Sequence, residues 1–295
     1  MLMPRIDCHL HIWSGDHERF PFNRERGGSP NFNVPPGPEG LCGTAEELLK
    51  AQADVDVAGA MIVQPVHHGF DHSYISDAMR RYPGKFKASL VIDPHLSPQA
   101  ATAEVERLHG LGWGGVRMKP GLWPDDKTPF GDETGRAVFG KCAELAMPIG
   151  ILASFGEHAE TLETLAASFP RTPIILDHFG SSLDAYGSTE WEQIKAFSKF
   201  PNTYVKVSGT AWLPESAETA KKATLDLMSV YGADRLMFGT DFPKYPKIIA
   251  DGGYQSIWHT FDSWAAETLS DAETSALAGG TVGRLFGFAG FGANL

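Results

Sequence analysis

Eight short apolar runs alternate with amphipathic helical patterns from one end of this 295-residue chain to the other. An apolar run followed by a helix fits a buried parallel strand, because parallel neighbours need a long crossover connection. Strands are predicted at residues 3–13, 58–65, 86–94, 114–119, 148–154, 173–178, 203–208 and 235–241. A capping pattern at 44–47 predicts the start of the first helix. Further helical segments are predicted at residues 73–82, 98–110, 134–146, 158–169, 190–200, 217–231, 254–266 and 272–285. This alternation predicts an α/β fold of the (β/α)8 TIM-barrel type.

A single barrel over residues 1–295 accounts for the chain better than two domains do. No break in composition divides the sequence, and barrels of about 250 residues fold as single units. An open doubly wound sheet is the structural alternative, but no glycine-rich phosphate-binding fingerprint follows any predicted strand. A long insertion, Ser14–Gly43, follows the first strand and is rich in glycine and proline. It is predicted to be an ordered functional loop or a lid.

The overall charge and the cysteines argue against several classes of protein. A formal net charge of −11 disfavours nucleic acid or an anionic membrane as the main partner. The three cysteines match no zinc or disulfide spacing, and the start of the chain does not look like a signal peptide. This use of cysteine favours a reducing, cytoplasmic setting. No run of about 18 apolar residues occurs, so a membrane span is not expected. Composition does not fix whether the chain forms a homo-oligomer.

The first predicted strand carries a His-x-His pair, His9 and His11, toward its C-terminal end. Side chains alternate between faces in a strand, so Asp7, His9 and His11 are predicted on one face and Cys8 on the other, toward the helices. Two imidazoles about 6–7 Å apart along a strand can bind a divalent metal or hydrogen-bond a small polar substrate. Polar groups that face a narrow barrel interior need such a reason to be there, so we interpret both histidines as site residues.

Polar side chains also end several later strands, where a barrel enzyme places its chemistry. His178 follows the apolar run of the sixth strand and Asp241 ends the eighth, so both are predicted at the mouth of the barrel. Arg117 in the fourth strand fits a structural ion pair as well as it fits substrate binding. Lys206 in the seventh strand can face either the barrel interior or a helix.

A second group of histidines, His67, His68 and His72, follows the second strand. They lie at the correct end of the barrel to line a pocket, although exposed histidines are also common on loops. We predict His67 as a substrate-binding residue, together with Trp13 at the start of the insertion. No G-x-S-x-G sequence occurs, so a serine-based triad is not indicated.

Several of these segments resemble the landmarks of the amidohydrolase superfamily. The most similar branch is the amidohydrolase-2 group, which includes the sugar-acid and 2-pyrone-4,6-dicarboxylate lactonases. The matching segments occur in the right order across nearly the whole chain: DCHLHIW at 7–13, GVR at 115–117, LDHFG at 176–180, VKVSG at 205–209, FGTDFP at 238–243 and TVGRLFG at 281–287. The resemblance implies a hydrolase built on a (β/α)8 barrel.

The resemblance also bears on metal content. Metal-rich amidohydrolases carry a lysine or carboxylate on the fourth strand and a histidine on the fifth, whereas the fifth strand here offers Ser154. A binuclear centre is therefore not expected. One divalent ion such as Zn2+ on His9, His11 and Asp241 is the alternative, since three N/O ligands plus water make an open catalytic site. We expect that no metal is required, because the ligand set resembles that of lactonases thought to work without one.

The function that the resemblance implies is hydrolysis of a small lactone or related cyclic ester that bears a carboxylate. Asp241 is expected to activate water, while His178, with His9 and His11, stabilises negative charge on the carbonyl oxygen. Arg117 is expected to hold the substrate carboxylate in a two-pronged contact that a lysine cannot reproduce.

Three alternatives stay open at this point. A metal-dependent decarboxylase of the same superfamily shares the His-x-His pair and the late aspartate, and it would contain stoichiometric metal and release carbon dioxide. A metal-dependent nuclease or phosphoesterase of the TatD kind is disfavoured by the acidic net charge and by the lack of a histidine on the predicted fifth strand. A catalytically silent barrel would bind an acid ligand tightly without turning over any lactone.

Overall fold

The computed structural model describes residues 4–16, 18–21, 43–65, 68–123, 130–243 and 253–291. Its eight strands form one sheet in which each strand pairs in parallel with the next one along the chain. The strands are β1 (Arg5–Leu10), β2 (Val57–Val63), β3 (Phe86–Val91), β4 (Gly115–Met118), β5 (Ile149–Ile151), β6 (Ile174–Leu176), β7 (Thr203–Ser208) and β8 (Leu236–Gly239). The architecture confirms the predicted (β/α)8 barrel.

Helices follow the strands at nearly the predicted positions. They are α1 (Ala45–Ala53), α2 (Ser73–Arg81), α3 (Pro98–Gly110), α4 (Glu133–Leu145), α5 (Phe155–Ser168), α6 (Thr189–Ala196), α7 (Ala217–Tyr231), α8 (Gly253–Thr268), α9 (Asp271–Ser275) and α10 (Thr281–Phe286). The helical segment predicted at residues 272–285 consists of α9, a π-helical turn at Ala276–Gly280 and α10. A side chain at Gly279 would lie 2.3 Å from the carbonyl oxygen of Pro4, so this turn packs directly on the start of β1.

The helices and the cysteines bear on the predictions about a membrane span and about the cellular compartment. Among the residues that the structure describes, no helix combines the length and the apolar surface needed to cross a membrane. Cys8 and Cys142 are buried free thiols. The cytoplasmic location stays a prediction.

The sheet closes between its first and last strands at the C-terminal end of the barrel. The Asp241 N–H donates to the carbonyl of His9 (2.8 Å), and the His11 N–H donates to the carbonyl of Phe242 (2.7 Å). These bonds continue the β1–β8 contact beyond the last residue of β8. They place the end of β8 directly beside the His-x-His segment.

Strand β1 contains one extra residue where it approaches this closure. Asp7 pairs with Ala60 of β2 and Leu10 pairs with Ile62, so three steps along β1 match two steps along β2. A bulge of this kind interrupts the alternation of side chains. Asp7 therefore points toward the helices, as its partner Ala60 does, while Cys8 packs inside the barrel. The predicted faces of Asp7 and Cys8 are wrong, because strict alternation leaves no room for an inserted residue.

Two buried clusters position the polar end of the barrel. The larger cluster fills the space between the outer faces of the strands and the helices. The smaller one fills the N-terminal end of the barrel interior with apolar side chains from five strands and from the C-terminal segment: Ile6, Cys8, Met61, Ile175, Tyr204, Met237, Val282, Leu285, Phe286, Phe288 and Phe291. Since apolar side chains pack this end, the polar side chains of the strands gather at the opposite, C-terminal end.

One histidine of the second group belongs to the packing of this fold. His72 is buried before α2, and its Nε2 accepts from the N–H of Val91 (3.4 Å) at the end of β3. Its ring packs edge-on against Trp113, with centroids 4.9 Å apart. Burial lowers the pKa of His72 to about 4.

We predict that His72 makes the fold sensitive to mild acid. The pKa of His72 in the folded chain lies below the ordinary value of 6.5. As the pH falls from 6.5 to about 4, His72 therefore binds a proton in the unfolded chain but stays neutral in the folded chain, which favours unfolding. The free energy of unfolding should drop by about 3 kcal/mol across this window through His72 alone. In His72→Gln, urea denaturation at each pH should show a loss smaller by about that amount. The exposed His95→Gln should follow the wild type, and equal slopes for wild type and His72→Gln would contradict the prediction.

Candidate active site

The His-x-His pair and the late aspartate meet at the C-terminal end of the barrel. One potential ligand atom from each of His9, His11 and Asp241 lies within 4.8 Å of the others, and all three residues are buried. His11 Nε2 is 3.2 Å and His9 Nε2 is 3.7 Å from Asp241 Oδ1. His178 completes the group, with its ring centroid 4.4 Å from that of His9. The structure thus brings together the four residues predicted as catalytic, and their roles stay predictions.

Unusual backbone conformations deliver two of these side chains. Asp241 (φ 60°) and His178 (φ 51°) both lie in the left-handed region that non-glycine residues rarely adopt. Each is the second residue after a strand, β6 or β8, so the sharp turn leaves its side chain at the rim of the barrel. Gly209 allows the close approach of β7, because a side chain there would lie 2.9 Å from His178 Nδ1.

Asp7 ties β1 to β8 immediately behind the site. Its Oδ1 accepts from the N–H groups of His9 and Thr240, both at 3.1 Å, and its Oδ2 accepts from the Thr240 hydroxyl at 2.7 Å. Burial raises the pKa of Asp7 to about 6, even though these hydrogen bonds oppose the rise. The Thr240 hydroxyl oxygen also accepts from the N–H of Phe242 (3.2 Å). Asp7 therefore fixes the backbone on both sides of Asp241 rather than facing the site itself.

His11 has the hydrogen-bonding arrangement of a metal ligand. Its Nδ1 lies 2.9 Å from the carbonyl oxygen of Val63, and because a carbonyl can only accept, this nitrogen carries the hydrogen. In a neutral ring, Nε2 then presents a lone pair to Asp241. Two acceptors 3.2 Å apart repel unless a proton or a cation lies between them. The His11–Asp241 pair is thus built to share a positive charge.

A layer of buried charges lies beside His9. Lys206 Nζ is 3.1 Å from Asp177 Oδ1, and Arg117 Nε is 3.2 Å from Asp177 Oδ2. Burial would raise the pKa of Asp177, but Lys206 in the first place, followed by His9 and Arg117, holds that pKa well below its ordinary value. Asp177 is therefore a fixed negative charge between two cations. No role was predicted for Asp177 from the sequence, although its position directly after β6 was the available signal.

His9 lies between this layer and Asp241. Its Nδ1 is 3.2 Å from Lys206 Nζ and 3.5 Å from Asp177 Oδ1. Burial, reinforced by the charge of Lys206, holds the pKa of His9 well below its ordinary value. The ring is therefore neutral and carries one hydrogen, on either Nδ1 or Nε2.

The remaining predicted residues fall into three groups. Arg117 makes the structural ion pair with Asp177, while its buried Nη2 has no hydrogen-bond partner among the described residues, so a substrate contact stays a prediction. Trp13 is buried, and its N–H donates to the carbonyl of Gly43 (2.8 Å), which joins the two ends of the insertion. His67 and most of the insertion, Ser14–Gly43, lie outside the described residues.

Two residues whose roles were left open have structural contacts. His68 Nε2 accepts from the Ser14 N–H (3.3 Å), and its Nδ1 is 3.4 Å from the carbonyl oxygen of Pro21. Ser154, which directly precedes α5, donates to Glu190 (3.2 Å). Neither contact brings these residues into the group of His9, His11 and Asp241.

The donor set fits one divalent metal ion. Two imidazoles and one carboxylate within 4.8 Å match the ligands of mononuclear zinc sites that keep an open position. His9 Nε2 is buried without a hydrogen-bond partner among the described residues, as expected for an atom that awaits a ligand. Such an ion would be held by His9, His11 and Asp241.

We predict that Thr240 stabilises the closure beside the site. Thr240→Val keeps the shape of the side chain but removes the hydroxyl, so Asp7 Oδ2 and the Phe242 N–H each lose a buried partner. The free energy of unfolding should fall by about 1–3 kcal/mol in urea titrations. The exposed Thr189→Val should change it by less than about 0.5 kcal/mol. A Thr240→Val protein as stable as this control would show that the Asp7–Thr240 contact contributes nothing.

Comparison with known proteins finds relatives of similar sequence. Two relatives are both named 4-sulfomuconolactone hydrolase. The protein from Hydrogenophaga intermedia is 25% identical over 249 residues, covering 80% of this chain and 74% of that protein. The protein from Rhizobium radiobacter is 27% identical over 257 residues, covering 84% and 79%.

Solved structures of low sequence identity share the fold. A proposed 2-pyrone-4,6-dicarboxylic acid hydrolase from Pseudomonas putida superposes with a TM-score of 0.74 at 22% identity, covering 98% of this chain and 99% of that chain. An amidohydrolase from Burkholderia multivorans with bound zinc gives 0.71 at 20% identity, covering 97% and 99%. A 2,6-dihydroxybenzoate decarboxylase from Rhizobium gives 0.67 at 15% identity, covering 98% and 100%.

A family model extends the match over almost the full length of the chain. The model described as amidohydrolase matches residues 6–288, from β1 to the segment after α10. This range contains all of β2–β8, β1 from its second residue, and every described member of the candidate site. The chain is a hydrolase that belongs to the amidohydrolase family.

Proposed function

We propose that this protein hydrolyses a small lactone or related cyclic ester that bears an acidic group. The observation that carries the proposal is the meeting of His9, His11 and Asp241, within 4.8 Å, at the C-terminal end of the barrel. The two relatives named 4-sulfomuconolactone hydrolase support the substrate class.

Asp241 is the general base of the proposed reaction. It takes a proton from a water molecule as the water oxygen attacks the carbonyl carbon of the lactone. The tetrahedral intermediate collapses, the bond from the carbonyl carbon to the ring oxygen breaks, and the proton returns to that oxygen. One water is consumed and one hydroxy acid is formed.

The imidazoles stabilise the negative charge of the intermediate. His178 and His9 lie together beside Asp241, and an N–H from either ring can donate to the carbonyl oxygen as it gains charge. Ser208 Oγ lies 3.0 Å from His178 Nδ1 and fixes the orientation of that ring. We propose that these groups suffice without a metal. A divalent ion on His9, His11 and Asp241 would supply Lewis acidity at the carbonyl and a lower pKa for water.

We predict that Asp241→Asn removes turnover and leaves the fold intact. The amide cannot accept the proton, so kcat for ring opening should fall by about 10³-fold or more. The assay is base uptake at constant pH against a panel of sugar-acid and dicarboxylate lactones, and circular dichroism reports the fold. Asp234→Asn, an exposed change just before β8, is the control and should keep wild-type kcat. Retained turnover in Asp241→Asn would remove Asp241 from the role of base.

We predict that Arg117 recognises the acidic group of the substrate. Arg117→Lys keeps a positive charge near Asp177 but loses the planar fork that binds a carboxylate in two places. KM for a carboxylate-bearing lactone should rise about 10-fold to 100-fold, while KM for an uncharged lactone of the same ring size should stay within about twofold. The exposed Arg136→Lys should alter neither value. Equal effects on both lactones would assign Arg117 to structure alone.

A decarboxylase that acts on a small unsaturated or aromatic acid is the second candidate. It is favoured by the metal-ligand set of two imidazoles and one carboxylate. The decarboxylase from Rhizobium supports it through the shared fold alone. The two functions differ in their products, because decarboxylation releases carbon dioxide and lactone hydrolysis does not. Carbon dioxide from acid substrates, together with no ring opening across the lactone panel, would replace the first proposal with the second.

A further inference from the structure

The two histidines of the His-x-His pair have different partners at Nδ1, the ring nitrogen that faces away from Asp241. A histidine that binds a metal through one nitrogen usually donates the hydrogen on its other nitrogen to a carbonyl or a carboxylate. His11 follows this rule, because its Nδ1 lies 2.9 Å from the carbonyl oxygen of Val63. His9 does not, because the nearest polar atom to its Nδ1 is the amine of Lys206 at 3.2 Å, with the Asp177 carboxylate farther away at 3.5 Å.

An ammonium group can donate hydrogen bonds but cannot accept them. When Lys206 donates to His9 Nδ1, that nitrogen uses its lone pair, and the single hydrogen of the neutral ring lies on Nε2. His9 then presents an N–H to the site instead of a lone pair. If Asp177 accepts from Nδ1 instead, the hydrogen leaves Nε2 and that atom becomes a metal ligand. Lys206 and Asp177 therefore favour opposite tautomers of one ring.

The position of Lys206 holds its amine at this ring. Its side chain is 2% exposed, and its neighbours on the same face of β7 are Tyr204, in the apolar end of the barrel, and Ser208, beside His178. The amine is anchored by Asp177 at 3.1 Å, and Arg117 occupies the other oxygen of that carboxylate. Both oxygens of Asp177 thus already interact with a cation. Asp177 is therefore a weaker acceptor for a hydrogen on His9 Nδ1.

We propose that Lys206 is a positioning residue that holds His9 in the tautomer with its hydrogen on Nε2, and so limits the metal affinity of the His9–His11–Asp241 site. The same N–H serves as a donor to the carbonyl oxygen of the substrate. In that second respect the inference rests on the proposed function. Its effect on the histidine ring and on metal binding does not.

The first test needs no substitution. Two-bond 1H–15N correlation spectra of the wild-type protein, stripped of metal by a chelator, distinguish the two ring nitrogens of each histidine. His9 should show a bare Nδ1 and a protonated Nε2, and His11 the reverse. The His9 signals are assigned by their loss in His9→Gln. A His9 ring protonated on Nδ1 would overturn the proposal.

The second test measures zinc binding to the chelator-stripped full-length chain. Lys206→Met removes the amine and keeps the buried stem, so Asp177 can accept from His9 Nδ1 and leave Nε2 free to bind. Changes of this kind behind a ligand alter metal affinity by about 10-fold to 100-fold. Zinc should therefore bind Lys206→Met about 10-fold to 100-fold more tightly than wild type in competition with a chelating dye. The exposed Lys199→Met should bind zinc as the wild type does.

Two further variants keep the outcome decisive. Lys206→Leu serves if Lys206→Met fails to fold, since a leucine also fills the apolar part of this position and removes the donor to His9 Nδ1. Asp177→Asn added to Lys206→Met removes the carboxylate that orients His9, so affinity should return toward the wild-type value. Zinc affinity in the folded single variants equal to or weaker than in wild type would overturn the proposal. A chain that opens no lactone but shows the expected tautomers and zinc affinities would refute the proposed function and leave this inference standing.

Discussion

The contact between β1 and β8 is the constraint on which the candidate site depends. Backbone hydrogen bonds from Asp241 to His9 and from His11 to Phe242 join segments that lie more than two hundred residues apart in sequence. Asp7 reinforces the closure by accepting hydrogen bonds from both strands. Because the His-x-His pair and Asp241 lie on or just after the two strands that close the barrel, the same bonds that complete the sheet also set the distances between them.

The apolar pattern of the chain predicted the elements but not their ends. Residues 203–208 and 217–231 were predicted with the bounds found in the structure, whereas the fifth strand, predicted at 148–154, is limited to Ile149–Ile151. Hydrophobicity reports which residues are buried, and that burial continues after strand pairing has ended. The convergence of strand ends at one edge of a barrel is a property of the fold, so His9, His11, His178 and Asp241 could be grouped from sequence alone.

Two features of the site could not be read from the pattern. The bulge in β1 adds one residue between Asp7 and Leu10, and it shows only in the register against β2. Lys206 could face the barrel or a helix, because a lysine at a strand position gives no indication of which buried partner awaits it. Its direction is settled by Asp177 and His9, which lie on other strands at 3.1 and 3.2 Å. Both features depend on tertiary pairing rather than on local sequence.

Two buried carboxylates lie at the C-terminal end of the barrel, Asp177 after β6 and Asp241 after β8. Their surroundings give them different chemical properties. Asp177 lies between Lys206 and Arg117, which hold its pKa well below the ordinary value, so it has little affinity for a proton and makes a poor general base. Asp241 instead faces imidazole nitrogens of His9 and His11, which can share a proton or a cation with it. The cations that neutralise Asp177 thereby leave Asp241 as the carboxylate suited to proton transfer. They also place a positive charge behind His9, on the side away from Asp241, where it orients the ring.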